Sequence, residues 1–459
     1  MYIGWRSVIG AFLIQLCLGN LYIWSFLTLY VTSYLRRYDD TLDYYDTITV
    51  YATSLGVQGL MMIFGGYLEH FIGSTKAVVA IGCLLVLTSC LIASLSKSLL
   101  NYIMFYGGLF GAGFGIAYSS SIVLCVRLNP ERKSLVTGCI VAGIGLGAFL
   151  FGYVASWIIN PEAAPVGSSG YYDPDSVQVR RVPLLFCYLG FIYACVMGIG
   201  LCLMEDPSVD EDADYKEVGS MEMVTITDKE ASTLSTYHAA DQTEQSNGSG
   251  DLNPNSIGIL GELTPSQVIR SNYMWHLSSC YVMTTVGGMY LSGQIAFYGT
   301  SYFASTKFLT SIVVASNLFN GFGRPVWGVL ADRYGPLNVI RVMSAVYSLI
   351  IYTYNHVSSF QNEILYAIWT FAIFFCIGGN FCLYMPISIH LSGKKHAVGN
   401  YGLIFLGLSV FEFLNIVILA KIKISFEDAC TCMGFLCFLG CLNINFLAIR
   451  LQNYEDRKM

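Results

Sequence analysis

Arg324 is the residue whose chemistry stands out. It is the only charge in Ser316-Asn317-Leu318-Phe319-Asn320-Gly321-Phe322-Gly323-Arg324-Pro325-Val326-Trp327-Gly328. The other 23 Lys and Arg residues fall in expected loops, tails or helix ends. A guanidinium in hydrocarbon costs about 3 kcal/mol or more at a helix centre unless it faces a cavity or a partner. Arg also matches a carboxylate through two parallel hydrogen bonds, so its first implied ligand is a small organic anion. The bland reading is a structural Arg satisfied by carbonyls, or one that snorkels outward: Ala331 lies seven residues on, roughly 10 Å at helical rise. Asn320 is one turn earlier on the same face; it holds the guanidinium, touches the anion, or packs helices. Glu412, in Ser409-Val410-Phe411-Glu412-Phe413-Leu414-Asn415, is the only acid deep in an expected span. Hydrocarbon favours a neutral carboxyl. Glu412 therefore reads as a proton carrier, a switchable partner for Arg324, or a hydrogen-bonded helix tie.

The elements that must position these residues are spans. The 459 residues are 55% apolar and 12% charged, with mean hydropathy +0.57; a soluble chain carries about twice that charge. Twelve apolar stretches can cross a core roughly 30 Å thick as helices, near 8–32, 45–70, 76–97, 101–127, 134–158, 181–203, 272–299, 306–331, 337–356, 362–390, 398–420 and 424–450. Backbone groups in lipid must be satisfied internally, and barrel alternation is absent, so the expected class is all-α integral membrane. The first span starts almost at Met1 without a charged leader or cleavage site, so no removable signal is expected. The chain has no phosphate loop, metal-ligand cluster or nucleophile–base pair, so no enzyme and no cofactor are expected. Fifteen cysteines without a paired framework read as apolar fillers; Cys430 and Cys432 could bridge or bind metal. His276, His390 and His396 lie near expected helix ends, where histidines are usually solvated.

Residues 205–262 hold 14 acids and two lysines. Their composition predicts an unstructured linker between two six-span sets: 1–204, the linker 205–262, and 263–459. Thr264 and Pro265 suit the cap and first position of a short helix leading into span seven. With the N-terminus in the cytoplasm, tails and even-numbered loops take 15 Lys and Arg and the other side eight. That bias predicts both termini cytoplasmic, which would leave the glycosylation triplet Asn247-Gly248-Ser249 idle. Plasma and organelle membranes are not distinguished.

The sets repeat weakly. Gly66-Tyr67-Leu68-Glu69-His70-Phe71-Ile72-Gly73 closes span two, and Gly328-Val329-Leu330-Ala331-Asp332-Arg333-Tyr334-Gly335 closes span eight. Gly115 to Ser120 similarly answers Phe381 to Pro386. A six-plus-six repeat around a central site is the architecture of alternating access.

These features resemble the major facilitator superfamily, and within it the oxalate/formate antiporter branch, near the monocarboxylate transporters. The resemblance rests on Gly19 to Ser25, Gly113 to Tyr118 with Arg127 to Arg132, Gly138 to Gly147, Thr264 to Trp275, and Asn320 to Gly328. It implies a gating motif at Gly328, Asp332 and Arg333, with a first copy at Gly66 and Gly73 that departs: His70 stands where Asp is usual, Phe71 where Arg is usual, and Glu69 one place early. It implies Tyr22, Trp24, Tyr118, Tyr290 and Tyr384 as site candidates beside Arg324 and Asn320; Gln294 is a further polar candidate in span seven. Packing or an interfacial belt is the alternative for each tyrosine, and close packing is expected of the span-five glycines. The family's oxalate antiporter adds a Lys in its eleventh helix; aligning on Asn400-Tyr401-Gly402 puts Gly407 or Leu408 there. The implied function is secondary transport of small monocarboxylates such as pyruvate, lactate or formate, with a co-transported proton or an exchanged anion. The implied form is a monomer in the bilayer that does not bind nucleic acid. The alternatives are a carrier of a neutral sugar or drug, and a non-transporting receptor or scaffold.

Overall fold

The computed structural model describes residues 3–162, 164, 170–206, 258–299, 302–303, 306–419 and 425–458. The described residues form helices and connecting turns, without strands. The first set comprises α1 (Ile3–Leu18), α2 (Trp24–Leu35), α3 (Tyr44–Ile72), α4 (Thr75–Leu95), α5 (Phe110–Leu128), α6 (Lys133–Ile159) and α7 (Val177–Leu203). The second comprises the short α8 (Pro265–Arg270), then α9 (Asn272–Gly299), α10 (Thr306–Tyr334), α11 (Pro336–Ser359), α12 (Glu363–Ser392), α13 (Ala397–Leu419) and α14 (Phe426–Lys458). The caps follow local chemistry. Asp43 and Asp46 form a reciprocal capping box at α3, and Thr264 and Gln267 form another at α8 with Pro265 in the first turn, satisfying amides that a helix start leaves orphaned.

Two expectations change. The first span is not one helix: α1 and α2 are joined by a 3₁₀ turn, Gly19–Ile23. There the backbone meets α6, and a β-carbon on Gly19 would lie 3.0 Å from the Ala148 nitrogen. Ten described helices, not twelve, are long and apolar enough to cross a membrane. The long helices α9 and α10 fall outside that set. The second carries Asn317, Asn320, Arg324, Asp332 and Arg333, polar groups that lower its apolar character; of these Arg324 is buried within the protein. The linker, including the Asn247 triplet, lies almost wholly outside the described residues. Cys430 and Cys432 are both free thiols. Two residues apart on α14, they point to different sides of the helix.

The glycines of α6 serve packing on two faces. A β-carbon on Gly143 would lie 2.6 Å from the Phe12 carbonyl of α1, and one on Gly145 would lie 2.9 Å from Gly321 of α10. Between the sets, α3 packs on α13 and α6 on α10. Hydrogen bonds from Arg127, Ser134, Leu135 and Arg324 join the sets between the level of Arg324 and the end bearing Gly66 and Asp332. The sets are closed on each other at that end.

Candidate functional site

Arg324 is 2% exposed. Its Nε donates to Asn320 Oδ1 at 3.1 Å. One terminal nitrogen donates to the Val141 carbonyl of α6, across the boundary between the sets. The guanidinium lies 5.5 Å from the Phe381 ring centre. Arg324 therefore does not snorkel; it is held mid-helix by one amide and one carbonyl. Its electrostatic neighbours are Tyr118, Tyr22, Cys382 and Tyr281. Among the described residues it is the only Lys or Arg that is fully buried, and Glu412, 7% exposed, is the only such acid.

Glu412 lies within electrostatic range of Tyr22, Tyr51 and Tyr347. Tyr22 lies within electrostatic reach of both the buried cation and the buried acid. The position of the second cation is closed. A β-carbon on Gly407 would meet the Ser278 hydroxyl at 2.5 Å, and Leu408 is 2% exposed.

The expected aromatics divide. Tyr22 and Tyr118 lie within electrostatic range of Arg324. Tyr384 stands behind Tyr281, stacked at 4.1 Å, with its hydroxyl 2.8 Å from Thr284 Oγ1. Trp24 does not join them: its indole N–H donates to the Thr47 carbonyl at 3.2 Å and its ring stacks on Tyr106 at 5.1 Å, tying α2 to α3. Tyr290 is half-buried on α9, nine residues beyond Tyr281 and about 14 Å further along the helix. The Gln294 side chain lies outside the described residues.

Sequence reasoning missed Tyr281, Tyr401, Phe381 and the Val141 carbonyl. The Tyr281 and Tyr401 hydroxyls are 3.3 Å apart, and Tyr118 stacks on Tyr401 at 6.4 Å. Tyr401, Phe405, Leu408 and Glu412 recur at helical spacing on one face of α13, a signal the sequence did carry. A backbone carbonyl leaves no such signal.

At the closed end, the Asp332 carboxylate accepts the Ser134 and Leu135 amides, both at 2.9 Å. It caps α6, where an anion is favoured by orphan N–H groups and the helix dipole. Gly328 and Gly66 permit close approach: a β-carbon on the first would lie 2.5 Å from the Ser134 carbonyl, and one on the second 2.7 Å from the Gly399 nitrogen. Arg333 lies over the Tyr334 ring at 5.3 Å and does not cross to the other set. Gly73 ends α3 with φ 72°. In the departed first copy, Glu69 pairs with Arg127 and accepts from Thr75 Oγ1 at 2.5 Å. Arg127 also donates to the Lys395 carbonyl of the other set at 3.2 Å. The acid standing one place early thus makes the contact that holds Arg127.

A family model described as Major Facilitator Superfamily matches residues 7–414. Apicoplast pyruvate carrier 1 of Toxoplasma gondii is 25% identical over 88% of this chain and 80% of its own length. The oxalate:formate antiporter of Oxalobacter formigenes is 22% identical over 64% of this chain and 56% of its own. Human monocarboxylate transporter 12 is 26% identical over 34% of this chain and 30% of its own. Among solved structures, the proton:xylose symporter XylE aligns with TM-score 0.61 at 13% identity, covering 96% of this chain and 94% of that one. An outward-conformation structure of the transporter FucP aligns with TM-score 0.62 at 13% identity, covering 96% and 97%.

Proposed function

As this chain belongs to the major facilitator superfamily, we propose that it is a secondary carrier of small monocarboxylates that works by alternating access. One observation carries the reading: a single buried guanidinium, oriented by Asn320 and held to the Val141 carbonyl of the opposing set. A carboxylate binding there supplies a stronger, charge-assisted acceptor than a peptide carbonyl. It draws Arg324 off α6 and so links binding to the relative motion of the sets. The relatives that are pyruvate, oxalate:formate and monocarboxylate carriers support an anion. The filled positions at Gly407 and Leu408 support a single carboxylate over a dicarboxylate.

In this reading residues 1–204 and 263–459 are the two rocking bundles, joined by the linker 205–262. The end bearing Gly66 and Asp332 faces the cytosol with both termini. Tyr22 and Tyr118 offer hydroxyls to the anion. Glu412, reached through Tyr22, carries the co-transported proton.

The test is counterflow of labelled pyruvate, lactate, formate and oxalate in proteoliposomes. Saturable monocarboxylate flux is expected. Arg324→Gln should lower it about 30-fold or more, since truncating one partner of a buried, hydrogen-bonded charge pair costs about 2–5 kcal/mol. Flux of a neutral sugar untouched by Arg324→Gln, or none of any anion from folded protein, would remove the proposal.

A further inference from the structure

The distal end of the acidic linker is bound into the closed end of the molecule. A helix leaves its last carbonyls without intrahelical donors. At the end of α12 the linker supplies them: the Ile259, Leu260 and Leu263 amides donate to the His390, Leu391 and Ser392 carbonyls, each at 3.0 Å. The Leu263 carbonyl in turn accepts Asn400 Nδ2 at 2.8 Å. Glu262 then reaches over the turn between α12 and α13, where its two carboxylate oxygens take the Lys394 amide at 3.2 Å and the Lys395 amide at 2.9 Å. The turn is shaped for this. Gly393 has φ 80°, and a β-carbon there would collide with the Glu262 carboxylate.

The same turn faces the other set. The Lys395 residue is held on both sides, its N–H by Glu262 and its carbonyl by Arg127, which pairs in turn with Glu69. We infer that Glu262 is a positioning residue of the gate, fixing the 393–396 turn so that the Lys395 carbonyl meets Arg127 when the two sets close. The inference rests on the alternating-access reading, in which this closure is a step of the cycle. Glu262 touches neither the anion site nor Arg127; it acts through one turn of backbone.

Hydrogen exchange on the full chain in nanodiscs, without substrate, tests it. Residues 133–137 report the gate from its other side, because Asp332 holds the Ser134 and Leu135 amides across the same boundary. Glu262→Ala should make that peptide exchange about tenfold faster, as expected for losing hydrogen bonds to a charged acceptor. Glu262→Gln keeps one acceptor oxygen and should give a smaller rise, which serves if the alanine variant does not fold. In an Arg127→Gln background neither change should add to the rise that Arg127→Gln causes alone, because the two residues act through one contact. Faster exchange confined to 259–263 and 393–396 would overturn the inference, as would equal increments with and without Arg127. No transported solute enters the measurement, so its failure is distinct from failure of the monocarboxylate reading.

Discussion

At the residue scale, two titratable groups make separable predictions. Glu412 shares Tyr22 with Arg324. Glu412→Gln should keep anion counterflow, which needs no proton, and abolish uptake driven by an imposed pH gradient. Gradient-driven uptake that persists in the variant would exclude Glu412 as the proton carrier. His396 lies in the turn before α13. Burial holds it below the ordinary histidine range, helped by Lys395 of the same turn, His70 of α3 and Arg127 of α5; Glu69 opposes them, and Lys394 and Glu262 bound the turn. A proton there meets cations from both sets, so it binds more weakly when the sets are closed. Closure is therefore favoured above the ordinary histidine pKa and lost as pH falls through and below it. Lowering the pH from about 7.5 to about 5.5 should speed hydrogen exchange at 133–137, beyond the intrinsic pH effect, by up to about tenfold, the limit set by falling about one unit below the ordinary histidine pKa. His396→Gln should flatten that response; an unchanged response in the variant would exclude His396 as its source.

At the element scale, the helices meet where they lack side chains. On α6, Gly143 faces α1 and Gly145 faces α10, so the helix packs against a partner in its own set and one in the other. Contacts within a set persist through the proposed cycle, whereas contacts between sets must break. Gly66 belongs to the second kind, its β-carbon position lying 2.7 Å from the Gly399 nitrogen and 2.8 Å from its α-carbon. Gly66→Val should leave the fold assembled and bias the molecule toward separation at that end, read as faster exchange at 133–137. Unchanged exchange there would mean that α3 and α13 yield elsewhere.

At the scale of the whole molecule, donors that cross between the sets include Arg127, the Ser134 and Leu135 amides, and Arg324. Two of them end on Asp332. A charge at a helix N-terminus is worth about 0.3–1 kcal/mol when exposed and up to about 2 in partly buried geometry, and 1–2 kcal/mol is a factor of about 5–30 in a two-state population. Asp332→Asn should shift the closed–open balance by that factor without lowering anion affinity in the variant's open state. A large fall in affinity would place Asp332 in the binding machinery instead.

The sequence by itself determined the class of this protein and the identity of its unusual residues. Lipid forbids unpaired backbone, so apolar length specifies helices, and the cost of a buried charge made Arg324 and Glu412 conspicuous without any coordinates. The cap at Thr264 was equally local and equally legible. Only the tertiary structure decided who meets whom. Trp24 packs on Tyr106 and not beside Arg324, Glu69 takes up Arg127 from one place early in its motif, and Val141 offers a carbonyl that no side-chain pattern announces. Such pairings depend on how close two helices come and at what rotation. Residues far apart in the chain set that jointly, so no window of sequence contains it.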